Sequence, residues 1–136
     1  MQTQVLISGA GPTGLMLAAD LARRGVPFRI VDQAEEPSGL SRAIVVHART
    51  LEILGDFGVA EERVLKGVQL PRTRMFRSSV KSLGCKTMID VYFGQLETAY
   101  PFLLSVHQTD TEDVLTRLVE RLGGRNDRGL RYLSPT

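Results

Sequence analysis

Cysteine is nearly absent from this chain, tryptophan is missing, and no apolar run is long enough to span a bilayer. Each absence excludes something. A single thiol, Cys85, rules out an internal disulfide and a multi-cysteine metal site, and fits a reducing compartment. No metal site is expected. The lack of a run of about 20 apolar residues removes a membrane-spanning helix, and the first strand begins too early for a signal peptide to precede it. A cytoplasmic protein without membrane contact is the expectation. No charge sign dominates, since 17 Lys and Arg stand against 15 Asp and Glu for a net charge of +2. The basic residues are scattered, so a nucleic-acid partner is not expected. What remains is ordinary globular composition, 43% apolar and 24% charged over 136 residues, enough for one domain.

The chain is organised by residues 5 to 32. Val5, Leu6 and Ile7 form a short apolar run that ends at Gly9, the pattern of a buried parallel strand. Gly9, Gly11 and Gly14 follow at G-x-G-x-x-G spacing. The first permits a tight turn, the second lets backbone approach a pyrophosphate, and the third lets helix and strand pack closely. Pro12 and Thr13 occupy the first helical turn, where the missing proline N–H costs nothing and the remaining N–H groups and the helix dipole favour an anion. Leu15, Ala18, Ala19 and Ala22 make a small apolar helix face, and Gly25 ends the helix. Phe28, Ile30 and Val31 then form a second strand with Asp32 at its end. An acid at that distance accepts from ribose hydroxyls and repels a 2′-phosphate, so the nucleotide expected is FAD or NAD and not NADP.

Beyond Asp32 a polar loop leads to Arg42 in S-R-A-I-V-V. A guanidinium returning to the pyrophosphate and a solvated surface arginine fit that spacing equally well. His47 to Phe57 reads as a helix ended by Gly58, and Val59 to Lys66 as a second, with Glu61 and Glu62 at its start and Lys66 at its end. For His47 a capping or packing role is expected. From Gly67 to Val106 the period changes to two, which predicts antiparallel strands inserted into an α/β chain, with Phe102 to Val106 as the last of them and Cys85 in a turn beside Gly84. Residues 109 to 122 form the clearest later helix, with Thr109 and Glu112 at capping-box spacing and an apolar stripe of Val114, Leu115, Leu118, Val119 and Leu122. Gln108 stands before that helix, either as a buried amide for a ligand's hydroxyl or phosphate or as a plain entry residue. Leu130 to Leu133 is expected as a final short strand. The fold class expected is α/β, a Rossmann-like βαβ unit with a parallel sheet and an antiparallel insertion.

Taken together, residues 9 to 32, S-R-A at 41 to 43, H-A-R-T-L-E-I-L at 47 to 54, Y-P-F-L-L at 100 to 104 and Gln108 ahead of a helix resemble the FAD-dependent aromatic hydroxylases. These are single-component flavin monooxygenases of the para-hydroxybenzoate and phenol hydroxylase type. The resemblance implies FAD as cofactor, NAD(P)H as transient reductant, O2 as co-substrate and a small aromatic or polyketide-like molecule as substrate. It assigns the pyrophosphate region to Gly9, Gly11, Pro12, Thr13 and Gly14, the adenosine ribose to Asp32, the phosphates to Arg42 and the middle of FAD to Gln108. It names no catalytic acid, base or nucleophile. The D-G and later G-D motifs of that family do not occur in these residues, and R-N-D-R-G-L-R-Y-L-S-P-T departs from its pattern. The chain is thus expected to be the N-terminal part of an FAD-binding domain over residues 1 to 136, with residues 67 to 106 as a β segment inserted in it, and incomplete as a catalyst alone. A complementing chain or self-association is the macromolecular partner this invites. Two other classes stay open, an NAD-dependent dehydrogenase fragment and a non-catalytic nucleotide-binding remnant or subunit. The β excursion after Gly67, where a further βα repeat is due, weighs against the dehydrogenase.

Overall fold

The computed structural model describes residues 3–37, 45–79 and 82–133. Its elements run in the order β1 (Val5–Ser8), α1 (Pro12–Arg23), β2 (Phe28–Asp32), β3 (Val45–Val46), α2 (Ala48–Asp56), α3 (Ala60–Lys66), β4 (Val68–Leu70), β5 (Arg72–Ser79), β6 (Ser82–Tyr92), β7 (Leu103–Ser105), α4 (Gln108–Arg121) and β8 (Asn126–Arg128). They divide into two compact units, residues 1–44 with 107–136, and residues 45–106.

The first unit is a parallel sheet in the order β1-β2-β8, with α1 and α4 packed against one another. β1 lies alongside β2 with Ile7 opposite Ile30, and β2 alongside β8 with Asp32 opposite Arg128. The core follows from the apolar periodicity: Ile7, Ile30 and Val31 from the strands meet Leu15, Ala18 and Ala19 from α1 and Val114, Leu115, Leu118 and Val119 from α4, all buried. Alanines on α1 allow the close approach that larger side chains would prevent. At the far end of the helices Gly124 is needed for the same reason, because a Cβ there would press on Val119 and the Phe28 ring. Gly25, with φ of +68°, ends α1 as a left-handed C′ residue.

The second unit holds a three-stranded antiparallel sheet, β3-β7-β4, and a separate hairpin, β5-β6. Leu51, Leu54, Val59, Ala60, Leu103, Leu104 and Val106 make its core, and α3 also buries Arg63. The hairpin sorts its faces by alternation. Arg72 lies over the Tyr92 ring at 5.8 Å and Arg74 Nη2 meets Asp90 Oδ2 at 2.6 Å on one face, while Met75 is paired with Ile89 and Thr73 with Val91 on the other.

Four expectations need correction. The final strand is Asn126–Arg128 and not residues 130 to 133, because parallel pairing with β2 recruits a polar segment that carries no apolar signal of its own. Gly84 and Cys85 lie within β6 and not in a turn, with Cys85 paired to Ser78 across the hairpin. α4 starts at Gln108, so Thr109 is not a cap: the N-cap position belongs to His107, which makes no side-chain capping bond. The expected strand over 102 to 106 is shorter, Leu103–Ser105. His47 occupies the N-cap position of α2, also without a side-chain capping bond. No helix among the described residues is long and apolar enough to cross a membrane, and they contain no group of three or more metal-ligating His, Cys, Asp or Glu side chains.

Candidate nucleotide site

The site is built at the carboxyl end of β1 and β2. The ladder between these strands runs on into the turn, where the Gly9 N–H donates to the Val31 carbonyl at 2.7 Å. Gly9 has φ of +108°, a conformation that side chains strongly disfavour, and this lets the chain reverse from β1 into α1. Gly14 is required by contact: a Cβ there would collide with the Gly9 carbonyl and crowd Ile7 of β1. Gly11 differs, since a Cβ there meets no atom of the protein. The open space in front of Gly11 belongs to a concavity of about 410 Å³ lined by Gly9, Gly11, Pro12, Thr13, Gly14 and Leu17, among others.

α1 begins there with Gly11 as its N-cap, no side-chain capping bond, Pro12 at the first position and no acid in its first turn. Unmatched backbone donors and the positive end of the helix dipole therefore face that concavity. An anion of pyrophosphate type supplies what such an end lacks.

Asp32 closes the other side. Its Oδ2 accepts from the Ala10 N–H at 2.7 Å and its Oδ1 from the Ala34 N–H at 2.8 Å. Partial burial pushes the carboxyl up, but these two backbone donors and the positive charge of Arg128 outweigh it, holding Asp32 below the ordinary value of 3.8. The carboxylate is thus kept charged. Each of its oxygens retains acceptor capacity beyond the backbone bond it makes, so ribose hydroxyls remain within its chemistry. A second concavity, about 370 Å³, lies beside it and is lined by Ser8, Gly9, Asp32, Gln33, Leu130, Arg131 and Tyr132. The last three are brought there because the Leu130 N–H donates to the Asp32 carbonyl at 2.9 Å and the Gly129 N–H to the Ala34 carbonyl at 3.3 Å.

The structure therefore brings Gly9, Gly11, Pro12, Thr13, Gly14 and Asp32 to one end of the sheet. Gln108 is the first residue of α4, and its Nε2 donates to Glu112 Oε1 at 2.8 Å. Arg42 lies outside the described residues. Ala10, Ala34, Arg128 and the segment from Leu130 to Tyr132 were not legible as site residues in the sequence. Their roles come from backbone groups and from register across the sheet, and no side-chain motif announces either.

Residues 2–136 match a protein-family model described as FAD binding domain. The chain is 41% identical over 128 residues to 6-methylpretetramide 4-monooxygenase of Streptomyces rimosus, covering 89% of this chain and 20% of that protein. It is 34% identical over 116 residues to pentachlorophenol 4-monooxygenase of Sphingobium chlorophenolicum, covering 85% of this chain and 21% of that protein. Among solved structures, the OxyS anhydrotetracycline hydroxylase from Streptomyces rimosus superposes with a TM-score of 0.76 at 36% identity, covering 95% of this chain and 25% of that one. The chain spans between a fifth and a quarter of the length of these relatives.

Proposed function

Because the chain belongs to the FAD binding domain family, we propose that it holds the adenosine diphosphate half of FAD in a flavin-dependent monooxygenase acting with NAD(P)H and O2 on an aromatic or polyketide-like substrate. The observation that carries this reading is the pairing, at one sheet end, of an uncapped, acid-free helix N-terminus with a carboxylate held in its charged form. The first suits phosphates and the second suits ribose hydroxyls. Those are the polar groups of an adenosine diphosphate, in that order along the molecule. The names of the relatives support the oxidative chemistry.

In this reading the N–H groups at Thr13 and Gly14 hold the pyrophosphate, and bare Gly11 lets it approach the backbone. Asp32 accepts from the ribose, and its charge disfavours a nucleotide bearing a 2′-phosphate. Gln108 meets the middle of the cofactor. FAD itself, when bound, takes electrons from NAD(P)H and in reduced form activates O2 for insertion of one oxygen atom into the substrate. Residues 1 to 136 are then the N-terminal part of an FAD-binding domain, and the β segment from 67 to 106 is an insertion directed to the substrate. Soluble, cytoplasmic operation fits this chemistry.

The test is calorimetric titration of the purified polypeptide with ADP, FAD and NADH. Saturable binding of both ADP and FAD at one site is expected. Failure to bind either would overturn the reading, and NADH binding more tightly than FAD would favour a dehydrogenase.

A further inference from the structure

Glu112 is 4% exposed, a carboxylate buried in the second turn of α4. Buried acids need donors, and Glu112 Oε1 accepts from Gln108 Nε2 at 2.8 Å. This bond does more than satisfy the acid. A carboxylate only accepts, whereas a glutamine amide has one donating edge and one accepting edge. The contact therefore decides which way the Gln108 amide stands: its nitrogen turns to Glu112, and its oxygen Oε1 lies on the opposite edge.

The position of that amide follows from helix direction. α1 and α4 pack together, and their carboxyl ends, Ala22 to Gly25 and Leu122 to Gly124, line one concavity with Phe28 at the start of β2. The two helices thus run the same way. Their first residues, Pro12 and Gln108, lie toward the same end of the sheet, where Gly9 to Gly14 turn. Their charges differ, however. α1 has no acid in its first turn, while α4 has Asp110 there, followed by Glu112 and Asp113. Phosphates are favoured at α1. The start of α4 suits a neutral hydroxyl that donates to a carbonyl oxygen.

We propose that Glu112 is a positioning residue for the cofactor: through its bond to Gln108 Nε2 it fixes the amide so that Gln108 offers Oε1 to a hydroxyl of the polyol chain of FAD, and not its NH2 to a phosphate. This rests on the nucleotide-binding reading above. It predicts that the Glu112–Gln108 pair matters for FAD, which has the polyol, and not for ADP, which lacks it.

The experiment measures ADP and FAD affinities and thermal midpoints for wild type, Glu112→Gln and Gln108→Lys. In Glu112→Gln either edge of the new amide can face Gln108, so the orientation is no longer enforced. FAD should bind about 3- to 10-fold more weakly, with ADP within about twofold of wild type. Gln108→Lys keeps a donor to the Glu112 carboxylate and should hold the wild-type thermal midpoint, yet its ammonium has no acceptor to offer a hydroxyl, so FAD should again bind about 3- to 10-fold more weakly. A role confined to holding α4 together would leave FAD affinity at wild type wherever stability is kept. Unchanged FAD affinity in Glu112→Gln, equal weakening of ADP and FAD in that variant, or wild-type FAD affinity in Gln108→Lys would each overturn the proposal. Wild type binding ADP as tightly as FAD would overturn it while leaving the nucleotide reading intact, and wild type binding neither would overturn both.

Discussion

Asp32 and Ala10 are joined by a 2.7 Å hydrogen bond from the Ala10 N–H to Asp32 Oδ2, across 22 positions of sequence. The acid proposed to meet the ribose thus also holds the glycine turn proposed to meet the phosphates. The two halves of the nucleotide site are mechanically one unit.

Asp32→Ala should therefore weaken ADP and FAD together, by roughly 1–3 kcal/mol, the usual cost of removing a charged hydrogen-bond partner. Part of this loss should appear in the absence of ligand as a lower thermal midpoint, because the turn loses its tie to β2. Calorimetry on wild type and variant measures both. Equal nucleotide affinities would remove Asp32 from the site.

The same carboxyl gives a pH signature. Its folded value is depressed, so its contribution to stability is present above the unfolded value, near 3.9, and is lost as pH falls through the folded value. Asp32→Asn has no such titration, and its NH2 confronts one of the two backbone N–H groups that the carboxylate accepted. Denaturant unfolding of both proteins from pH 7 down to pH 3 should show wild type ahead at neutral pH and the gap narrowing below about pH 4. A gap that widened on acidification would contradict the assignment of those bonds.

Two glycines of the turn should separate cleanly. At Gly11 a side chain meets no protein atom, so Gly11→Val should leave the circular dichroism spectrum and thermal midpoint near wild type while abolishing nucleotide binding by filling the pyrophosphate's space. At Gly14 a Cβ collides with the Gly9 carbonyl, so Gly14→Ala should lower stability, by about 1–3 kcal/mol as overpacking does, before any ligand is added. Retained binding in Gly11→Val would mean that the anion lies elsewhere.

The first strand, helix and second strand were legible because their signals are local: an apolar run, spaced glycines and a helical stripe sit side by side from Val5 to Asp32. The antiparallel strands after Gly67 were legible through the change of period there, whereas β3 (Val45–Val46), which pairs with β7, lies ahead of it and carried no such signal. β8 was not legible either, because Asn126, Asp127 and Arg128 are polar, and their extended form is imposed by β2 and by the Arg29–Asp127 ion pair at 2.8 Å. The start of α4 was misread because Thr109 and Glu112 have capping-box spacing. Glu112 is instead engaged by Gln108, one turn earlier on the helix. In the candidate site, Gly9, Gly11, Pro12, Thr13, Gly14 and Asp32 carry a sequence motif, whereas Ala10, Ala34 and Arg128 enter through backbone groups or register and carry none.

Among the described residues β1 pairs only with β2, and Leu6 is 47% exposed on it. An apolar edge of this kind templates pairing with another strand. The purified polypeptide should accordingly self-associate as concentration rises, and Leu6→Lys should shift sedimentation profiles toward monomer without loss of ADP affinity. Identical profiles for the two proteins would place any association on another surface.

The last prediction concerns turnover by these 136 residues alone. The groups at the candidate site, a glycine turn, a helix N-terminus and Asp32, suit phosphates and ribose hydroxyls, the polar groups of the adenosine diphosphate half of FAD. The chain spans only between a fifth and a quarter of the length of the monooxygenases it matches, and a cofactor gripped by those groups alone leaves its flavin ring to solvent. A reduced flavin in contact with solvent passes its electrons to O2 and releases H2O2 before an aromatic ring can be hydroxylated. The purified polypeptide supplied with FAD, NADPH, O2 and a panel of phenols should therefore consume NADPH slowly, with H2O2 accounting for the electrons and no hydroxylated product in the chromatogram. Product formed in step with NADPH consumption would show instead that these residues suffice to shelter the flavin.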